Sequence, residues 1–90
     1  MHPLQHNPTP GQVDLIISAM KNGLTLHEED FFEGEARSYE FKDGGFLRTR
    51  MDTVVGSYFH EEPLSEQGMR AELAARTIGD LRSMGANVDH

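Results

Sequence analysis

Ala36-Arg37-Ser38-Tyr39-Glu40-Phe41-Lys42-Asp43-Gly44-Gly45-Phe46-Leu47-Arg48-Thr49-Arg50-Met51 is the stretch on which the fold turns. Apolar and polar residues alternate on both sides of a glycine pair, the pattern of two half-buried strands joined by a tight reversal. A two-residue loop would place Phe41 opposite Phe46 but would also set Arg37 opposite Arg50, two like charges face to face. A three-residue loop of Asp43, Gly44 and Gly45 removes that conflict, with Gly45 in the left-handed position that follows a type I turn. It pairs Phe41 with Leu47, Glu40 with Arg48 and Tyr39 with Thr49, and this is the expected register. One sheet face then carries Tyr39, Phe41, Leu47 and Met51, and the other Ser38, Glu40, Arg48 and Arg50.

Downstream, Asp52-Thr53 marks a second reversal into a strand over residues 54–60, where Val54 and Tyr58 continue the first face and Val55 and Phe59 join the second. Upstream, Thr9-Pro10-Gly11-Gln12 is a helix start: Thr9 caps, Pro10 takes the first helical position and Gln12 completes a capping box. Val13, Ile16, Ile17 and Met20 follow as one apolar stripe, and Gly23 ends the helix. Residues 24–33 read either as a short helix, capped by Thr25 with Glu28 three residues on, or as an edge strand begun by Leu24 and Leu26; the helix is preferred. Ser65 caps the last helix, with Leu64 and Met69 as a hydrophobic staple and Met69, Leu73, Ala74, Thr77, Ile78, Leu81 and Met84 as its buried stripe up to Gly85.

The expected architecture is α+β: a three-stranded antiparallel meander with an N-terminal and a C-terminal helix packed on one face. Residues 1–8 read as a tail, 9–86 as a single domain and 87–90 as a second short tail. Ninety residues allow one core and not two. Five Phe, two Tyr and no Trp keep that core modest.

Cysteine is absent, which removes disulfides and thiolate chemistry and favours a reducing, cytoplasmic setting. The N-terminal residues lack the basic start and apolar run of a signal peptide, and no apolar stretch approaches the roughly 20 residues that span a bilayer. The net charge of −7 opposes direct nucleic-acid binding, because each phosphate contact needs a cation. That charge is segregated. Glu28, Glu29, Asp30, Glu33 and Glu35 lie in one stretch without Lys or Arg, and Asp52, Glu61, Glu62 and Glu66 in another, while Arg37, Lys42, Arg48 and Arg50 make the hairpin between them locally positive.

No stretch spells out a catalytic, metal or cofactor site. His60-Glu61-Glu62 follows a strand and lacks the second histidine of a helical zinc motif. His2 and His6 sit in the tail without a supporting shell of ligands. The acids Glu28, Glu29, Asp30 and Glu33 lack the alternating oxygen ligands and central glycine of a calcium loop. No serine stands in a nucleophile elbow, and no helix starts directly after Gly44-Gly45 to make it a phosphate loop.

One family pattern is present at the hairpin: Gly34-Glu35, then Tyr39, Phe41, Asp43 and Leu47, followed by a third strand and a long C-terminal helix. This arrangement resembles small acidic anti-CRISPR inhibitors carried by phages. The resemblance implies an inhibitor that presents carboxylates in place of nucleic-acid phosphates.

The function expected is therefore a non-enzymatic, cofactor-free protein-binding module with a basic protein as partner. Its candidate contact residues are the acids Glu28, Glu29, Asp30, Glu33, Glu61 and Glu62, and the outer-face residues Phe46, Arg48, Arg50, Val55 and Phe59, a mixture of aromatics and arginine typical of interfaces. The alternative is a homo-oligomeric structural or accessory subunit that buries Phe46, Val55 and Phe59 across a symmetry axis.

Overall fold

The computed structural model describes residues 5–30, 32–53 and 59–88. Seven elements follow in order: α1 (Pro10–Lys21), β1 (Leu26–Asp30), β2 (Glu35–Lys42), β3 (Gly45–Asp52), β4 (Phe59–Leu64), α2 (Glu66–Ala74) and α3 (Ile78–Ser83). The fold is α+β, and the strands form one antiparallel sheet in sequence order. The sheet has four strands where three were expected, because residues 26–30 extend as β1 instead of coiling into the preferred short helix. Leu-His-Glu-Glu-Asp has little intrinsic strand preference. Its partners hold it: Leu26 lies opposite Tyr39, Glu28 lies opposite Arg37, and His27 N donates to Met84 O at 2.9 Å.

The β2–β3 hairpin adopts the register that the Arg37–Arg50 repulsion argued against. Asp43 and Gly44 have φ of 53° and 81°, and Lys42 pairs with Gly45, so the loop has two residues with the positive φ values of a type I′ turn. That turn matches the twist of the strands and favours Asp-Gly. Phe41 therefore faces Phe46, and Arg37 does face Arg50. Like charges across a strand pair cost up to about 1 kcal/mol, and here a carboxylate intervenes. Glu35 lies 2.7 Å from Arg37 Nη1 and 3.6 Å from Arg50 Nε, which converts repulsion between two cations into attraction of both to one anion.

This register reassigns the faces. Phe46, Arg48 and Arg50 share the inner face with Tyr39 and Phe41, and none of the three lies on the outer face where the three-residue loop placed them. The strand expected at 54–60 is β4, which starts later, at Phe59; Val54, Val55 and Tyr58 lie outside the described residues. Pro63 is accommodated because β4 is an edge strand.

The helices close the inner face. Thr9 Oγ1 accepts from Gln12 N at 3.2 Å and Gln12 Oε1 accepts from Thr9 N at 2.8 Å, the reciprocal cap that starts α1. The expected single C-terminal helix is two, because Thr77 caps a new start: its hydroxyl accepts from Asp80 N at 3.1 Å, after α2 has ended at Ala74. Of the expected stripe Met69, Leu73, Ile78, Leu81 and Met84 lie in the core, whereas Ala74 is exposed and Thr77 is the cap of α3. α1 packs on β2, and α2 on β3 and β4. Their apolar residues meet Leu26, Tyr39 and Phe46, and the Phe41 and Phe46 rings stand edge to face at 5.0 Å. His6 O accepts from Ile78 N at 2.8 Å, and Asn7 Nδ2 donates to Ala74 O and Arg76 O, which ties residues 6 and 7 to the α2–α3 junction. Val88 is buried against the same core.

Leu73 is fully buried. Leu73→Ala should cost about 2–5 kcal/mol, a large share of the total of about 5–10 kcal/mol expected for a domain of this size. Urea denaturation measures it, and a loss below about 1 kcal/mol would show that α2 does not seat this residue in the core.

Candidate functional site

The inner face is divided along the strands. Next to the hairpin turn it is apolar, with Phe41, Phe46 and Leu64 in one row across the sheet. The following row, Leu26, Tyr39, Arg48 and Glu62, is mixed, and the row beyond it, Glu28, Arg37, Arg50 and His60, is ionic. Arg76, in the α2–α3 break, reaches down onto this ionic half. Its Nε and Nη2 each donate to Glu28 at 2.8 Å, Nη2 also donates to the Tyr39 hydroxyl at 2.9 Å, and the guanidinium lies 5.3 Å from the centre of the Tyr39 ring. Arg37 donates to the same Glu28 through Nε at 2.8 Å. Arg48 spans the sheet and α2, donating to Glu62 at 2.9 Å and to Glu72.

These contacts leave the groups firmly charged. The Arg76 hydrogen bonds, helped by Arg37 and opposed by partial burial, lower the Glu28 carboxyl from 4.5 to about 2. Glu28 in turn raises Arg76. The hydrogen bond from Arg48 lowers Glu62. Two guanidiniums on one half-buried carboxylate are stronger than a surface pair, since side chains with 15–21% exposure see less screening water. The residues also surround a polar cavity of about 270 Å3, lined by Arg37, Tyr39, Arg48, Arg50, Glu72 and Arg76.

The outer face has a different character. His27, Ser38, Thr49 and Glu61 form one row across it, and Glu29, Ala36, Met51 and Phe59 the next. No described helix packs on this side. The shortest principal extent of the molecule, 18 Å, has room for one sheet and one helical layer. Small side chains floor a shallow cavity of about 250 Å3 whose walls include His27, Glu29 and Phe59. Glu29 and Glu61 stand on opposite edge strands and in adjacent rows, roughly 16 Å apart by strand and residue spacing. Phe59 is 64% exposed, and Phe32, in the β1–β2 turn at the same end of the sheet, is fully exposed. The Asp30 carboxylate shapes that turn by accepting from Phe32 N and Glu33 N, and Gly34 completes it at φ 66°.

The structure therefore splits the acidic residues singled out in the sequence. Glu28, Asp30 and Glu62 are bound by arginines in the inner network. Glu29, Glu33 and Glu61 make no ion pair with any described residue, and Glu29 and Glu61 flank the open face. Of the proposed outer-face set only Phe59 is placed there; Phe46 is core, Arg48 and Arg50 belong to the ionic network, and Val55 is outside the described residues. Arg76, Glu72 and Tyr39 were missed as site residues. The spacing of Glu72 and Arg76, four apart, was the visible signal, although it reads equally as a helix surface pair.

Among the described residues no group of three or more His, Asp or Glu is placed to hold a metal ion, and no helix is long and apolar enough to cross a membrane. No protein-family model, curated protein or solved structure matches the chain.

Because the Glu28 carboxyl falls from 4.5 to about 2 on folding, its contribution is complete above the unfolded value and is lost as pH falls toward the folded one. Discounted for solvent screening, the contribution is about 1–2 kcal/mol. Urea denaturation at about pH 6 and about pH 3 should show that loss in the wild type and a smaller one in Glu28→Gln. Equal pH dependence in both proteins would contradict the assignment. Arg76→Met should destabilise by about 1–3 kcal/mol at neutral pH, because it leaves Glu28 with one cation in place of two.

Proposed function

We propose that the chain is a small non-enzymatic protein-binding module that docks through its outer sheet face onto a basic, nucleic-acid-binding protein. The observation that carries this reading is the coincidence, on one face that no described helix covers, of carboxylates without an ion pair among the described residues and exposed aromatics. Glu29 and Glu61 flank a floor of small side chains, Glu33 lies in the adjoining turn, and Phe32 and Phe59 stand exposed at the same end. Exposed aromatics supply desolvation energy at interface centres, and a charged rim supplies steering and partner choice. The net charge of −7 favours a cationic partner over a nucleic acid. In its sharpest form the module is an inhibitor whose carboxylates occupy positions that phosphates take on the partner, the role implied by the resemblance to anti-CRISPR inhibitors. A cysteine-free domain of this kind suits a reducing cytoplasm.

Self-association through the same face is the competing reading. It would bring Glu29, Glu40 and Glu61 of one copy near those of another, and like charges weaken that contact. Sedimentation separates the two, since this alternative requires a dimer at high concentration and the proposed function does not.

The test is affinity capture from the source cell, with bound proteins identified by mass spectrometry. Wild-type protein should retain a basic nucleic-acid-binding protein that salt releases and added duplex DNA displaces. The triple variant Glu29→Gln, Glu33→Gln, Glu61→Gln should weaken capture by about 10-fold or more and flatten its salt dependence, while Phe59→Ala weakens it without changing that slope. Capture that ignores both the triple variant and DNA would overturn the proposal. Because the three acids lie outside the inner network, stability should stay within about 0.5 kcal/mol of wild type.

A further inference from the structure

The inner cavity contains hydrogen-bond donors that the ion pairs leave unused. Arg37 and Arg76 are committed to Glu28, Glu35, Tyr39 and the Glu72 carbonyl. Arg48 gives its two terminal nitrogens to Glu72 and Glu62, but its Nε, shielded from solvent, has no acceptor. Arg50 approaches Glu62 and Glu35 through Nε alone. The contact with Glu62 Oε1, at 2.6 Å, is too poorly aligned for either atom to count as hydrogen-bonded. The terminal nitrogens of Arg50 have no acceptor among the described residues, and this arginine is the most exposed of the four, at 37%.

We propose that this cavity binds a tetrahedral oxyanion of the phosphate class, gripped by the Arg50 fork. Four guanidiniums line the space, three of them taken up by carboxylates, and the Arg50 fork is the free part of its wall; a planar guanidinium matches two oxygens of a phosphate at once. A volume of about 270 Å3 accommodates the anion together with part of its hydration. Glu72 is the built-in competitor: it is the lining carboxylate, held by Arg48 and Arg76, and it occupies donors that an incoming anion would share. The site lies on the face opposite the proposed docking surface and does not depend on it. The same chemistry serves free phosphate and a phosphorylated side chain.

Titration of the full chain with sodium phosphate, O-phosphoserine and sodium chloride at constant ionic strength tests the proposal, read by NMR at the arginine Nε–H and backbone amide resonances. Phosphate should give saturable shifts centred on Arg50, and chloride should not. Arg50→Gln should weaken binding by about 10-fold, Arg50→Lys should also weaken it because the fork is lost while the charge remains, and Glu72→Gln should tighten it. Phosphoserine binding as tightly as phosphate assigns the site to a phosphorylated side chain, and binding of inorganic phosphate alone assigns it to the free ion. Shifts that are linear and alike for phosphate and chloride would overturn the proposal, as would unchanged phosphate affinity in a folded Arg50→Lys protein.

Discussion

Arg76 binding Glu28 is the contact on which the arrangement of this molecule depends. It joins the α2–α3 break to the first strand of the sheet, residues 48 positions apart, through two hydrogen bonds of 2.8 Å. β1 has almost no apolar residues of its own beyond Leu26, so its place at the sheet edge rests on Glu28 finding cations above it and beside it. The helix break has a matching need. By ending α2 at Ala74 the chain frees Arg76 from the helix surface and lets it turn onto Tyr39 and Glu28. A carboxylate with one arginine would be a costly half-buried charge, whereas with two it is held charged down to about pH 2.

The same logic explains why the hairpin register escaped a pairwise reading. Arg37 opposite Arg50 is unfavourable if only β2 and β3 are considered. Their charges are answered by Glu28 from β1, Glu35 from β2 itself and Glu62 from β4, and two of these acids lie on strands that the alternation of residues 36–51 cannot locate. The turn chemistry pointed the other way throughout, since Asp43-Gly44 is a preferred type I′ pair. Local rules were reliable where one segment settles its own structure. The Thr9–Gln12 capping box, the stripe from Val13 to Met20 and the Ser65 cap all appear as the residues imply. The Thr77 cap carried a readable signal of the same kind, Thr-Ile-Gly-Asp, that was overridden by the continuity of the apolar stripe across it.

The candidate surface was less legible because exposure is a property of the whole sheet. A one-residue change of register exchanges the two faces of β3 relative to β2, and it moved Phe46, Arg48 and Arg50 from solvent to interior in one step. Glu29 and Glu61 kept their accessibility because both sit on edge strands and on the outer face. Phe59 kept its place by the same alternation, although its strand begins later than the sequence pattern implied.

Charge is distributed accordingly. Arg37, Arg48, Arg50 and Arg76 are spent against Glu28, Asp30, Glu35, Glu62 and Glu72 inside the ionic half, while Lys21 and Arg70 pair with Glu66 and Asp14 between the helices. Most of the cations are thus consumed internally, and among the described residues the acids left unpaired are Glu29, Glu40 and Glu61 on the outer face, Glu33 and Asp43 in turns, and Asp80 on α3. The net charge of −7 is therefore spread unevenly over the molecule. The inner face is close to electrically balanced, whereas among the described outer-face residues Lys42 is the one Lys or Arg set against Glu29, Glu40 and Glu61. An approaching cationic surface would meet that side first, and the small residues between the acids would let it come close to the sheet.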